Sequence, residues 1–125
     1  ALASAQTLER GNGPEPDSLD PHRAQGLSAQ QILRDLYEPL VRENAVGEVE
    51  LAAASSVQVS DDGLIYTFQL RDDGRYSDGE PVTAEDFKAS LERALDPATG
   101  AAYAAMLRPI RGASERLEGN SVPLC

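Results

Sequence analysis

Tyr66-Thr67-Phe68-Gln69-Leu70-Arg71, followed after Asp72-Asp73-Gly74-Arg75 by Tyr76-Ser77-Asp78-Gly79-Glu80-Pro81-Val82-Thr83-Ala84-Glu85-Asp86-Phe87, is the stretch that decides the fold. Tyr66, Phe68 and Leu70 alternate with polar residues, which places them on one face of a β-strand. Asp78-Gly79 is a tight-turn pair. Thr83-Ala84-Glu85-Asp86 has the form of a helix capping box with a short acid where Glu is usual, so a helix is predicted from there. Phe87, Leu91 and Leu95 follow at spacing four with Ala94 beside them, and this amphipathic stripe ends at Asp96-Pro97.

Upstream, Val57 and Val59 alternate with polar neighbours as far as Asp61-Asp62-Gly63, and β-formers resume at Ile65, which predicts a hairpin around an Asp-Gly turn. Further back, Ile32, Leu33, Leu36, Tyr37, Leu40 and Val41 recur at helical spacing behind Ser28, a good N-cap, and Pro39 ends or kinks that helix. Thr7 to Asn12 reads as a short strand, followed by turn signals at Gly11-Asn12-Gly13-Pro14, Pro16-Asp17-Ser18 and Asp20-Pro21. Downstream, Ala101 to Leu107 is an alanine-rich helical patch, and from Glu118 to Cys125 nothing periodic remains. There is no internal repeat.

Eleven Lys and Arg stand against twenty-one Asp and Glu, a net charge of −10. That field repels phosphate backbones and anionic lipid, so nucleic acid is not an expected partner. No apolar run approaches the roughly 20 residues of a spanning helix, since Leu51-Ala52-Ala53-Ala54 is closed by Ser55-Ser56, and the chain is not expected to span a membrane. With no Trp and only six aromatics, the core is expected to be light. Cys125 is the only cysteine, which excludes an internal disulfide and a cysteine metal cluster. Ala1-Leu2-Ala3-Ser4-Ala5-Gln6 has the small-x-small pattern that closes an export signal, cut after Ala3 or Ala5, and reads equally as an ordinary flexible N-terminus.

Carboxylate pairs occur at Asp61-Asp62, Asp72-Asp73 and Glu85-Asp86. All lie in turns or a first helical turn, where solvated acids serve local hydrogen bonding and the helix dipole, so a carboxylate-dependent hydrolase is disfavoured. His22 is the only histidine. Asp20-Pro21-His22 lacks a third metal ligand and reads as a turn with Asp20 bonding forward to the backbone. Gly11-Asn12-Gly13 lacks the rest of a phosphate-cradling loop. Ser18, Ser77 and Ser90 are expected to have no base in reach, so no catalytic residue, no metal and no cofactor is assigned.

The string from Tyr66 through Phe87, with Ser90, Arg93 and Asp96-Pro97, resembles the signature of the bacterial extracellular solute-binding proteins of family 5, which serve ABC importers of peptides and nickel. Gln6-Thr7-Leu8, Ser18-Leu19-Asp20-Pro21-His22 and Arg34-Asp35-Leu36-Tyr37-Glu38 resemble its periplasmic oligopeptide-binding subgroup in the same order. The likeness covers about residues 6 to 113. Two departures stand out: Tyr76 occupies a position where the family usually has Trp, and Glu48-Val49-Glu50-Leu51-Ala52 lacks a typical proline.

The resemblance implies an α/β fold of the two-lobed periplasmic-binding-protein type (class II, peptide-binding). This chain would be the N-terminal part of lobe I, with a small mixed sheet and two or three helices. Residues 1–5 would then be the export-signal remnant, 6–113 the lobe portion, and 114–125 an atypical tail, a frameshift or truncation scar. The implied function is non-covalent capture of extended oligopeptides, in the periplasm or at the cell envelope, for delivery to ABC permease subunits. Carried over by position, Gln25 stands where relatives commonly place an acid that meets a peptide's ammonium group, a charge an amide cannot supply. Leu27 matches a position whose backbone pairs with the ligand, and Tyr103 one that lines the cleft. The competing readings are a loop amide, a core leucine and a helix tyrosine. At the level of function, the alternatives are a truncated structural or interaction domain, or a relative that binds nickel, haem or other small solutes.

Overall fold

β-Branched and aromatic residues on either side of Asp61-Asp62-Gly63 form the longest strand pair among the described residues. The computed structural model describes residues 9–124. Its elements are α1 (Gly26–Leu36), β1 (Val41–Glu43), β2 (Val49–Leu51), β3 (Ala54–Val59), β4 (Tyr66–Leu70), α2 (Ala84–Leu95) and α3 (Ala113–Leu117), with 3-10 turns at Pro97–Thr99 and Ala104–Leu107. The export-signal reading of residues 1–5, the Gln6-Thr7-Leu8 likeness and Cys125 lie outside the described residues.

The predicted hairpin is present. Val57 pairs with Phe68 and Val59 with Tyr66, so these four side chains share a face, and the register shifts between Ala54 and Ser56. The Ser55 hydroxyl at this bulge donates to the carbonyls of Gln69 and Leu70 at 3.1 and 3.3 Å. Gly63 turns the chain at φ 72°. Helix α2 also begins and ends as read. The Asp86 carboxylate accepts from both the N–H and the hydroxyl of Thr83 at 2.8 Å, and the helix stops at Leu95 before Asp96-Pro97.

Several expectations are corrected. The sheets are two separate antiparallel pairs, β1 with β2 and β3 with β4, rather than one mixed sheet. Each strand pairs with its chain neighbour through a short turn, whereas a parallel partner needs a long crossover. Residues 9–12 form no strand: Arg10 pairs with the Asp35 carboxylate and the Asn12 amide donates to the Ser28 carbonyl. Ser28 is not the N-cap of α1, because that helix starts at Gly26, where φ of 82° lets the chain enter sharply. The Asp17 carboxylate accepts the N–H of the actual N-cap residue, Gln25, with both oxygens at 3.0 Å. Leu40 and Val41 leave the helical stripe, Val41 for β1. The Ala101 to Leu107 patch tightens into a 3-10 turn at Ala104–Leu107.

Among the described residues the buried apolar set is Ala24, Ala29, Ala52, Ala54, Ala94, Leu95 and Ala113, of which only Leu95 is large. Large side chains stay outside, including Leu64 at 80% exposed and Val46 at 78%. Val57, Val59 and Tyr66 on the hairpin face are also exposed. Burial of such side chains is the main stabilising term in folding, so this surface holds much unused hydrophobic free energy.

Candidate functional site

Asp20-Pro21-His22 forms a turn because its groups bond locally. The Asp20 carboxylate accepts the His22 N–H at 3.0 Å, the Ser18 hydroxyl accepts the Asp20 N–H at 3.0 Å, and the Asp20 carbonyl accepts the N–H groups of Arg23 and Ala24. The turn is then bolted to α2 from far along the chain. Arg93 donates to both Asp20 oxygens, at 2.8 and 2.5 Å, and its NH1 also lies 2.7 Å from His22 Nδ1. The Arg93 guanidinium, bonded to Asp20, holds that carboxyl far below the usual carboxylate range, and Asp20 in turn raises Arg93.

The expectation that Ser90 has no base nearby is corrected here: His22 Nε2 lies 3.1 Å from Ser90 Oγ. Helix α2 presents Ser90 and Arg93 three residues apart on one face, and the turn brings His22 against both. The pair is nevertheless not a catalytic one. A guanidinium has only donors, so Nδ1 must be the acceptor and the proton sits on Nε2, which then donates to Ser90 rather than taking its proton. Partial burial and then the Arg93 charge push His22 below its ordinary 6.5, with Asp20 opposing.

The turn also sets the residues assigned by position. Gln25 is exposed at the N-cap of α1, and Leu27, 76% exposed, lies in its first turn, where amides have no intrahelical carbonyl to bond. Tyr103 is half-exposed ahead of the 3-10 turn at Ala104. A backbone bond from the Ala102 N–H to the His22 carbonyl, 3.2 Å, joins the Tyr103 segment to the segment leading into Gln25 and Leu27. So the structure brings the two segments that carry these residues together.

A cleft of about 570 Å³ is lined by Pro21, Tyr37, Leu70, Tyr76, Phe87 and Ser90 among others. Gln25, Leu27 and Tyr103 do not line it. Burial and the neighbouring Asp86 carboxylate push the Tyr76 hydroxyl above its ordinary 10.0. Among the described residues no group of three or more His, Cys, Asp or Glu could hold a metal ion, and no helix is long and apolar enough to cross a membrane.

The fold and this turn define a small α/β scaffold, two antiparallel strand pairs with three helices among the described residues, in which the Asp20 turn is tied to α2. Residues 48–119 match the model of the bacterial extracellular solute-binding proteins, family 5 Middle, and the chain belongs to that family. It is 44% identical over 94% of its length to the periplasmic oligopeptide-binding protein OppA of Escherichia coli, of which it covers 22%. It is 43% identical over 98% of its length to the periplasmic murein peptide-binding protein MppA of the same organism, covering 23%. Among solved structures it is similar to Haemophilus influenzae OppA in complex with RPPGFSPFR, with a TM-score of 0.81 and 36% identity over 86% of this chain and 21% of that one. The chain thus spans about a fifth of the length of the relatives it matches.

Proposed function

We propose that this chain is the start of lobe I of a periplasmic peptide-binding protein that captures extended oligopeptides without breaking a bond and passes them to an ABC permease. The carrying observation is the Ala102 to His22 backbone bond, which unites the Tyr103 and Gln25–Leu27 segments at the exposed start of α1. An extended ligand would pair its backbone with open main-chain groups such as the first-turn amides of α1, as an added strand does. The peptide-binding names of the relatives support the same reading. Residues 6–113 would form the lobe portion. By itself the chain should bind peptide weakly or not at all, because a second lobe would have to close the site.

Two titrations test this. Calorimetry with mixed tri- to pentapeptides should show no micromolar or tighter binding to the 125-residue chain alone. A chimera in which the chain replaces the matching part of the Escherichia coli oligopeptide-binding relative should bind the same peptides. Micromolar binding by the lone chain would overturn the incomplete-cleft reading, and a folded chimera that binds no peptide would overturn the peptide reading.

A further inference from the structure

His22 is held on three sides. Its ring lies between Arg93 NH1 at 2.7 Å and Ser90 Oγ at 3.1 Å, its N–H is on the Asp20 carboxylate, and its carbonyl takes the Ala102 N–H. The Asp20 turn, and α2 and the Ala102–Tyr103 segment from about 70 to 80 residues further along the chain, therefore meet on one imidazole-bearing residue. No other histidine exists in the chain.

The hydrogen-bond inventory leaves this arrangement one protonation state. Arg93 NH1 carries two N–H groups, one toward Asp20 Oδ1 at 2.8 Å and the other toward His22 Nδ1. Since guanidinium cannot accept, Nδ1 must offer its lone pair, and Nε2 must carry the proton. A second proton on the ring would set an N–H against an N–H and a cation against a cation. The charged groups facing the ring are Arg93 from α2 and Asp20 from its own turn, with Ser90 neutral beside it and the Ala102 segment contributing only a backbone amide. Asp20 is the one group that would favour imidazolium. Both its oxygens are already engaged by Arg93, which limits that help.

We infer that the His22–Arg93 contact is an acid-sensitive latch: protonating His22 breaks it and loosens the hold of α2 on the turn and the start of α1, leaving the Asp20–Arg93 pair as the remaining tie. Protonation is disfavoured in the latched state, in line with the lowered His22 value. The latch therefore holds above the ordinary imidazole range and opens as pH falls below it. Opening would loosen the path from His22 through Gln25 to Leu27, and also the Ala102 tie that holds Tyr103. The consequence for ligand release rests on the proposed peptide site, but the latch itself does not.

The test is a pair of nuclear magnetic resonance measurements on the full chain. The nitrogen shifts of the single histidine should show the Nε2–H tautomer at about pH 7.5, and its titration midpoint should lie below that of an unstructured histidine peptide. Amide-exchange protection of Arg23 to Gln25, whose N–H groups bond Asp20 and Asp17, corrected for intrinsic exchange, should fall about tenfold as His22 titrates, while β3–β4 protection holds. In His22→Asn, whose side-chain oxygen accepts from Arg93 without titrating, that fall should disappear. Should His22→Asn fail to fold, the wild-type titration decides alone. An Nδ1–H tautomer, an unshifted or raised midpoint, protection that ignores the titration, or an identical fall in His22→Asn would overturn the latch. Failure of the chimera to bind peptide would overturn the site reading and leave these observables unchanged.

Discussion

Arg93 on α2 grips the Asp20 carboxylate with two nitrogens across 73 residues of chain, at 2.8 and 2.5 Å. The fork geometry of guanidinium and carboxylate makes this contact directional, so it sets the orientation of the turn as well as its position. Arg93→Gln or Asp20→Asn should leave α2 intact, since neither residue caps it, and should free the turn. The expected result is unchanged helical circular dichroism with faster amide exchange at Arg23 and Ala24, whose N–H groups bond the Asp20 carbonyl. Equal protection in variant and parent would show that the turn holds without the pair.

Acid should destabilise the fold in a definite window. Asp20, Asp62 and Asp86 all lie below their ordinary 3.8, through the Arg93 bond at Asp20, the Ser60 hydroxyl at Asp62 and the Thr83 N–H at Asp86. A carboxyl whose folded value is depressed stabilises fully above its unfolded value and loses that contribution as pH falls through the folded one. Thermal midpoints should therefore drop below about pH 4, and Asp20→Asn should flatten the drop. A midpoint that stays level from pH 5 to about pH 2 contradicts the assignment.

Leu95 is the only large side chain fully buried among the described residues. Leu95→Ala should cost roughly 3 kcal/mol by urea titration, the usual cost of an unfilled core site. Leu64→Ala, at an 80% exposed position, should change stability by less than about 0.5 kcal/mol. Comparable losses in the two variants would mean that the small alanine core does not hold the fold.

Gly112 has φ 85°, and a Cβ there would lie 2.5 Å from the Pro123 carbonyl oxygen. Arg116 also reaches back to the Val122 carbonyl at 2.6 Å. The tail is therefore docked against α3, and Gly112→Ala should destabilise by about 2 kcal/mol through left-handed backbone strain plus the clash. Limited proteolysis should then cut near Val122 in the variant and not in the parent. An uncut, equally stable variant would dissolve this contact.

Gln25 has an amide at the exposed N-cap of α1. Within the peptide-binding chimera, Gln25→Glu should tighten binding of a free-amine tripeptide about tenfold by supplying a charge-assisted partner. Binding of the N-acetylated tripeptide should not change. A gain for both peptides, or for neither, would remove Gln25 from the amino-terminal contact.

The chain's own pattern of residues determined the hairpin, the Asp-Gly turns, the Asp20 turn and both ends of α2, because these depend on neighbours within a few positions: strand alternation, left-handed glycine, a carboxylate bonding forward. It missed the three-residue strands Val41–Glu43 and Val49–Leu51, too short for an alternation to register. Their turn was nonetheless marked by Asn44, whose side-chain oxygen accepts from Val46 and Glu48. It also missed α3, a helix of one and a half turns. Only the tertiary structure decided that Asp17 bonds the N-cap residue of α1 from eight residues away, that Ser90 meets His22, and that Pro123 seats on Gly112. Those contacts join residues whose separation along the chain carries no local signal. Closing such loops costs entropy that only the assembled set of partners can repay, so no stretch read alone could announce them.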